Sequence, residues 1–297
     1  MKNLGIAIPT YNRQDQLGTL LEAIPKQYQI YVSDNGRYLS ELFRGRFPLV
    51  HFKELAGEPV KMFANWNLAA RMVNEDWVVI PSDDDIYFEK SFEIISDYLD
   101  RYKTADVVIF GHQTVDGNYQ KINEWKPQEL VECEAPNGFE YFKYGVFARM
   151  PSIFFKRNLL EELGYFDEYF KITAADSDLV QRALIKGRSV FVPEVVSGYR
   201  VWLGGATHNT IGTVEWMSDV DYWGRKIEEI LHEIPKYSKE ASTIRSEIYA
   251  LNLFAGVVSA KRSGGYSSAW IHFKNCSYPY RARLQTQLRL LSWLIRP

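Results

Sequence analysis

The sequence predicts an α/β protein: a mostly parallel, Rossmann-like sheet with helices on both faces, followed by a helical region. Three observations carry this. Short apolar runs of strand length alternate with amphipathic stretches of helix length through the first part of the chain. Polar clusters follow several of those runs, at the carboxyl ends where such sheets gather functional groups. Long helical patterns replace the alternation after about residue 210.

Taken in order, "LGIAIPTY" is a buried strand ending near Pro9. It feeds "NRQDQLGTLLEAIPK", where Leu17, Leu20, Leu21 and Ile24 fall at helical spacing. "YQIYVSDNG" is a second strand closed by the turn pair Asn35-Gly36, and "PLVHFKE" is a third. "VKMFANWNLAARMVNED" reads as a helix, "WVVIPSDDD" as a strand, "SFEIISDYLDRYK" as an amphipathic helix and "ADVVIFGH" as another buried strand. "GHQTVDGNYQKINEWKPQ" reads as a loop. From about residue 132 helix and loop mix, with Gly164 a helix stop. "ITAADSDLVQRALIKG" is a helix, and "RSVFVPEVVSGYRVW" is a strand pair broken at Pro193. "TVEWMSDVDYWGRKIEEILHEI" and "EASTIRSEIYALNLFAGVVSAKR" are long helices, which divides the chain into residues 1–210 and 211–297.

Bulk properties narrow the function classes. At 297 residues the chain is one large or two modest domains. Apolar residues at 46% and charged ones at 24% describe a folded protein, and a net charge of −2 gives no overall pull toward nucleic acid. Aromatic residues reach 15%, which suits flat sugar rings but also aromatic cores. Cys133 and Cys276 fit no zinc or redox spacing, and the amino terminus lacks a signal-peptide pattern. No window approaches the run of apolar residues that spans a bilayer. A cytoplasmic location is the expectation. From Ile248 to Pro297 there is no Asp or Glu but seven Lys or Arg, which leaves −9 for the preceding part. Such asymmetry predicts a docking surface at one end.

The stretch "DWVVIPSDDDIYFEKSF" runs four apolar residues into three adjacent aspartates. Thr10-Tyr11-Asn12-Arg13 and Ser33-Asp34-Asn35 end two other strands, so three polar clusters point to one edge. Adjacent carboxylates there suit a hard divalent cation, Mn²⁺ or Mg²⁺, which takes one or two carboxylates plus substrate phosphates. A solvated acidic turn is the plain alternative. No GxxxxGK[ST], GxGxxG or HExxH pattern is present.

"IPTYNR", "VSDNG", "NWNLAARM", "WVVIPSDDDIYF", "MPSIFFKRNLLEELGYFDE", "ADSDL" and "YRVWLGGAT" stand in an order and spacing that resembles family 2 glycosyltransferases of GT-A fold, over roughly residues 3 to 207. The resemblance implies an inverting, metal-dependent transferase using a nucleotide-diphosphate sugar, of the bacterial surface-polysaccharide type. It puts Pro9, Thr10, Tyr11 and Arg13 in the nucleotide pocket, Asp34 at the base (usually uracil) and Asn67 in the helix before the acidic motif. Asp83 and Asp85 match the DXD carboxylates for ribose and the diphosphate metal, with Asp84 between them. Asp176 of "ADSDL" matches the usual catalytic base, although Ala175 stands where the family has glutamate. Many members carry a histidine near Trp202; His208 is the nearest substitute here and a third metal ligand on that reading. Tyr144, Phe147, Arg149 and Met150 are acceptor-side candidates, and core packing explains the aromatics equally.

The terminal "RARLQTQLRLLSWLIRP" places Leu284, Leu288, Leu291 and Ile295 on one helical face, with Arg281, Gln285, Arg289, Ser292 and Arg296 on another. This pattern predicts either a peripheral membrane helix at the inner leaflet, with Trp293 as an anchor, or a helix closing a core or a dimer interface. The partners expected are a nucleotide-sugar donor and a glycan or lipid-linked glycan acceptor. A sugar nucleotidyltransferase and a non-catalytic glycosyltransferase-like scaffold are the competing readings. The first lacks its Gly-rich loop after strand one, and the second rests on Ala175 and the missing histidine.

Overall fold

A computed structural model of the protein describes residues 3–201 and 210–295. They form two compact units. Among the described residues the first comprises 3–141, 146–168 and 179–201, and the second 142–145, 169–178 and 210–295. Two short segments before residue 210 thus group with the helical region.

The first unit is a ten-stranded sheet: β1 (Leu4–Thr10), β2 (Gln29–Asn35), β3 (Val50–Leu55), β4 (Trp77–Val79), β5 (Ile86–Tyr87), β6 (Val107–Val115), β7 (Lys121–Trp125), β8 (Val131–Cys133), β9 (Ile153–Lys156) and β10 (Ser189–Arg200). Its order is β3-β2-β1-β4-β9-β6-β10-β5, with β7 added on β6 and β8 on β10. β3, β2, β1 and β4 are mutually parallel, as are β6 and β10. β9 runs antiparallel between β4 and β6. The helices are α1 (Gln14–Ala23), α2 (Glu41–Arg46), α3 (Met62–Ala70), α4 (Ser91–Arg101), α5 (Arg157–Leu163) and α6 (Ala175–Lys186). Alternate strand residues Ile6, Ile8, Ile30, Val32, Val79, Val108 and Phe110 join Leu17, Leu20 and Leu21 of α1 and Phe92, Ile95 and Leu99 of α4 in one cluster. Their neighbours Ala7, Tyr31, Val78, Val107 and Ile109 are buried too, so both faces are covered, which is why these strands read as continuous apolar runs.

Three segments differ from expectation. β10 is one strand across Pro193, because the ladder shifts register between Val192 and Val195 and no pairing demands the missing N–H. The stretch after "ADVVIFGH" is a hairpin, not a loop: β6 runs to Val115 and pairs with β7. The Asp116 carboxylate accepts the Asn118 and Gln120 amides and shapes the turn. Finally, β8, β9 and α5 occupy the region that read as mixed helix and loop.

The second unit carries α7 (Val214–His232), α8 (Ala241–Lys274) and α9 (Leu284–Ile295). Thr213 caps α7, its hydroxyl accepting the Trp216 amide at 3.2 Å. α8 is two arms, not a rod. Gly265 has φ 73 and ψ −166, a conformation essentially confined to glycine. Gly256 packs against the His272 ring, and the Tyr249 hydroxyl accepts the Ser277 amide at 3.2 Å. Along a straight helix Gly256 and His272 would lie about 24 Å apart. The chain therefore doubles back at Gly265. No described helix is long and apolar enough to cross a membrane.

Candidate active site

The parallel register builds the site. β1 pairs with β4 as Ile6↔Val79 and with β2 as Thr10↔Asp34, so extending both ladders aligns Asp34, Thr10 and Asp83 at the carboxyl edge. Pro9 lies beyond the last β1–β4 pair and opposite Ser33 in the β1–β2 ladder. Thr10 Oγ1 donates to Asp83 Oδ2 at 2.7 Å. Asn12 takes φ 53, a left-handed turn that asparagine tolerates. Arg13 follows at the start of α1. Its Nη1 donates to Asp83 Oδ1 and Asp84 Oδ2, each at 3.0 Å. A cation of the chain itself thus answers two of the three carboxylates.

Asp85 is different. Its Oδ2 accepts the Ser82 amide at 2.8 Å, while Oδ1 is buried with no hydrogen-bond partner among the described residues. Burial pushes Asp85 well above the usual carboxylate range, aided by Asp84 and opposed by the backbone amides of Ser82 and Arg200. Burial also pushes Asp83 up to about 6, outweighing the opposing charge of Arg13. Burial draws Arg13 down, but the facing aspartates prevail and its pKa is raised.

Around this core the sequence-predicted residues separate. Asp34 is fully buried, and its two oxygens accept the amides of Tyr38 at 2.9 Å and Leu39 at 3.0 Å. It shapes the turn and does not face outward. Gly36, at φ 87, lets the chain turn, and a Cβ there would meet the Tyr38 ring at 2.6 Å. Tyr38 and Tyr11 meet edge to face, centroids 5.1 Å apart, both about half exposed. Sequence reasoning missed Tyr38; its only signal was an aromatic residue after the Asn35-Gly36 turn.

Asn67 is turned away from the edge. Its amide clasps the Phe166 backbone (Nδ2 to O 2.9 Å, Oδ1 from N 3.0 Å) and donates to Glu168 at 2.8 Å. Asn65 takes the place expected of it: its Oδ1 accepts from Ser33 Oγ at 2.7 Å and its Nδ2 donates to the Thr10 carbonyl at 3.3 Å. Met150 is buried. Arg149 stacks over Tyr199 at 5.1 Å, and Phe147 is exposed. Buried His112 neighbours Arg149, and burial first, then that charge, lowers its pKa to about 4.

In the second unit Asp176 opens α6, half-buried, its Oδ1 accepting the Ser177 amide at 2.8 Å. Asp178 is fully buried against Lys226 at 3.0 Å, a scaffold contact. Asp219 of α7, unnoticed in the sequence, accepts the successive amides of Lys171, Ile172 and Thr173 and fixes the approach to α6. Tyr144 lies under Arg283, 4.3 Å from its ring centre. His208 and Trp202 lie outside the described residues. No cluster of three His, Cys, Asp or Glu arranged for a metal occurs among the described residues. A cavity of about 810 Å³ in the second unit, lined in part by Asp221, Arg245, Tyr249 and Cys276, contains none of the expected site residues.

A sheet whose parallel strands end in a threonine, an arginine and buried aspartates, with a helical unit after it, defines a GT-A protein. The chain belongs to glycosyl transferase family 2, which matches residues 5–164, more than half of its length. Solved structures agree on the fold. TarS 1-349 of S. aureus superposes with a TM-score of 0.63 at 12% identity, over 98% of this chain and 92% of that one. Its complex with UDP-GlcNAc gives 0.64 at 14%, over the same shares. Mannosyltransferase PcManGT from Pyrobaculum calidifontis, in complex with GDP-Man and Mn²⁺, gives 0.55 at 16%, over 99% and 86%. A sequence comparison with curated proteins finds no match.

Proposed function

We propose that the protein transfers a sugar from a nucleotide-diphosphate donor, a UDP-sugar first, to a hydroxyl of a glycan or lipid-linked glycan during surface-polysaccharide assembly, at the inner face of the membrane and with inversion. The observation that carries this is the buried Oδ1 of Asp85, without a hydrogen-bond partner among the described residues, beside the Thr10–Asp83–Arg13 cluster. A buried carboxylate oxygen without a partner is costly to ionise unless a ligand completes it. Asp85 and Asp83, with His208 as the third ligand of the sequence reading, would hold Mn²⁺ or Mg²⁺, and oxygen donors at a strand end fit such an ion. When bound, the ion supplies positive charge to the departing diphosphate.

This chain's own residues do the rest. Arg13 is held by Asp83 and Asp84 and can offer donors to a phosphate. Tyr11 and Tyr38 offer rings to the base, on a turn that Asp34 fixes. Asp176 takes the proton of the acceptor hydroxyl as that oxygen attacks the anomeric carbon opposite the nucleotide. The C–O bond to the diphosphate breaks as the new one forms, and a single displacement inverts the centre. UDP is preferred because the TarS structure is described with UDP-GlcNAc, and the metal because PcManGT is described with Mn²⁺.

Arg13 favours a second reading: as it already neutralises part of the triplet, the donor could bind without a metal. A thermal-shift panel of UDP, GDP, dTDP and CMP, each with and without manganese, separates these. A ligand at a hundred times its Kd adds about 2.7 kcal/mol. Stabilisation by UDP only with manganese, lost in Asp83→Ala/Asp85→Ala, supports the first reading. Equal stabilisation without manganese supports the second. No shift with any nucleotide overturns both and leaves the scaffold reading.

A further inference from the structure

We propose that α9 docks on an anionic lipid surface through the stripe Leu284, Leu288 and Ile295. This goes beyond the transfer reading and stands or falls without it.

α9 has two apolar faces. Thr286, Leu290 and Leu294 are buried. The anchoring is strong: Arg283 and Thr286 bind the buried Glu247, and Lys261 Nζ donates to the Trp293 carbonyl at 3.1 Å. Trp293 itself meets Phe254 edge to face at 5.7 Å, so it is part of this inner seam rather than an outer anchor. The other face is bare. Leu284, Leu288 and Ile295 are 69%, 57% and 69% exposed, and Tyr280, in the turn before the helix, is 81% exposed. At 100° per residue Leu284, Leu288, Leu291 and Ile295 fall in an arc of about 60°, centred about 130° from the buried residues. One helix thus closes a core and presents an unpartnered apolar stripe.

The charge of this stretch of the chain selects the occupant. From Ile248 to Pro297 the chain has no acidic residue, and Arg262, Lys274, Arg281 and Arg289 are exposed. A second copy meeting this face across a two-fold axis would bring cation against cation. An anionic headgroup layer matches both the sign and the apolar depth. At 12 residues α9 is about 18 Å long, too short to span a bilayer, and it would lie in the interface plane.

The test is co-sedimentation of the full chain with phosphatidylcholine vesicles, with and without about one-third phosphatidylglycerol, across salt concentrations. The expected result is binding to the anionic vesicles that weakens with salt and falls about ten-fold or more in Leu284→Ser/Leu288→Ser/Ile295→Ser. Lys274→Gln/Arg281→Gln should lose about five-fold per charge. Because these side chains are exposed, the variants should keep the wild-type melting temperature, which separates lost docking from lost folding. Binding that is absent, or equal on neutral vesicles, or unchanged in the serine variant overturns the proposal. So does a wild-type dimer in light scattering that the serine variant dissolves, which would assign the stripe to a second copy.

Discussion

Glu247 in the helical unit and Asp85 at the sheet edge are both buried carboxylates, finished in different ways. Glu247 Oε1 accepts from Arg283 Nε and Nη2 at 2.9 and 2.8 Å and from Thr286, and Oε2 accepts the Arg283 amide at 2.9 Å. Every demand is met from within the chain. Asp85 has one oxygen on the Ser82 amide, while its Oδ1 takes no hydrogen bond within bonding distance among the described residues, the Arg200 amide only standing near the carboxylate. The first arrangement holds a fold together; the second stores an unmet demand that a ligand can satisfy.

That contrast can be broken or sharpened by substitution. The largest effect is expected at Asp176: Asp176→Asn should keep nucleotide-induced stabilisation yet lower kcat by about 10²–10⁴-fold, the usual worth of a general base. Near-wild-type turnover would remove Asp176 from the chemistry. Glu247→Ala removes the acceptor of Thr286 and of the half-exposed Arg283, and denaturant unfolding should show a loss of about 1–3 kcal/mol. A loss under about 1 kcal/mol would mean that the complete cluster is not structural.

His112 tests an incomplete group by pH. Its Nδ1 and the Arg149 Nε are both buried without hydrogen-bond partners among the described residues. The folded state holds the ring neutral to about pH 4, while the unfolded chain takes up a proton near 6.5. The stability this supplies is therefore fully present above 6.5 and lost as pH falls toward 4. By proton linkage the loss is about 3 kcal/mol, and His112→Gln should flatten that part of the stability–pH curve. An unchanged slope in the variant would show that other groups set it. The smallest effect has the most telling sign: Asp85→Asn should raise metal-free stability by about 1 kcal/mol while removing nucleotide-dependent stabilisation. A destabilised Asp85→Asn protein would place Asp85 with the scaffold carboxylates.

Much of the first unit was legible in the sequence. The parallel strands are buried on both faces, so they announce themselves as apolar runs, and Thr10, Arg13 and the triplet follow from where those runs stop. Partner choice was less legible. Asn65 and Asn67 sit two residues apart on α3, hence on nearly opposite sides, and nothing in the spelling says which side faces β1. Asp34 has the right place, but only the structure shows that its oxygens are taken by Tyr38 and Leu39. The β6–β7 hairpin was hidden because Asp116 through Gln120 look like an ordinary polar loop. In α9 apolar residues go nearly all round, so the sequence offered two stripes and named the one that stays exposed without showing the one that packs.

Gly265 gives the helical unit one more property. Because a single residue of positive φ turns α8 back on itself, the short arm after Gly265, marginal as a helix alone in water, packs against the long arm before it. Any residue with a Cβ at that position favours carrying the helix straight on. The partner surfaces would then be separated along one rod, and the nearest matching arm would belong to another molecule. The return of α8 on itself thus hangs on one backbone angle, and a substitution at Gly265 favours an exchange of arms between chains over self-closure.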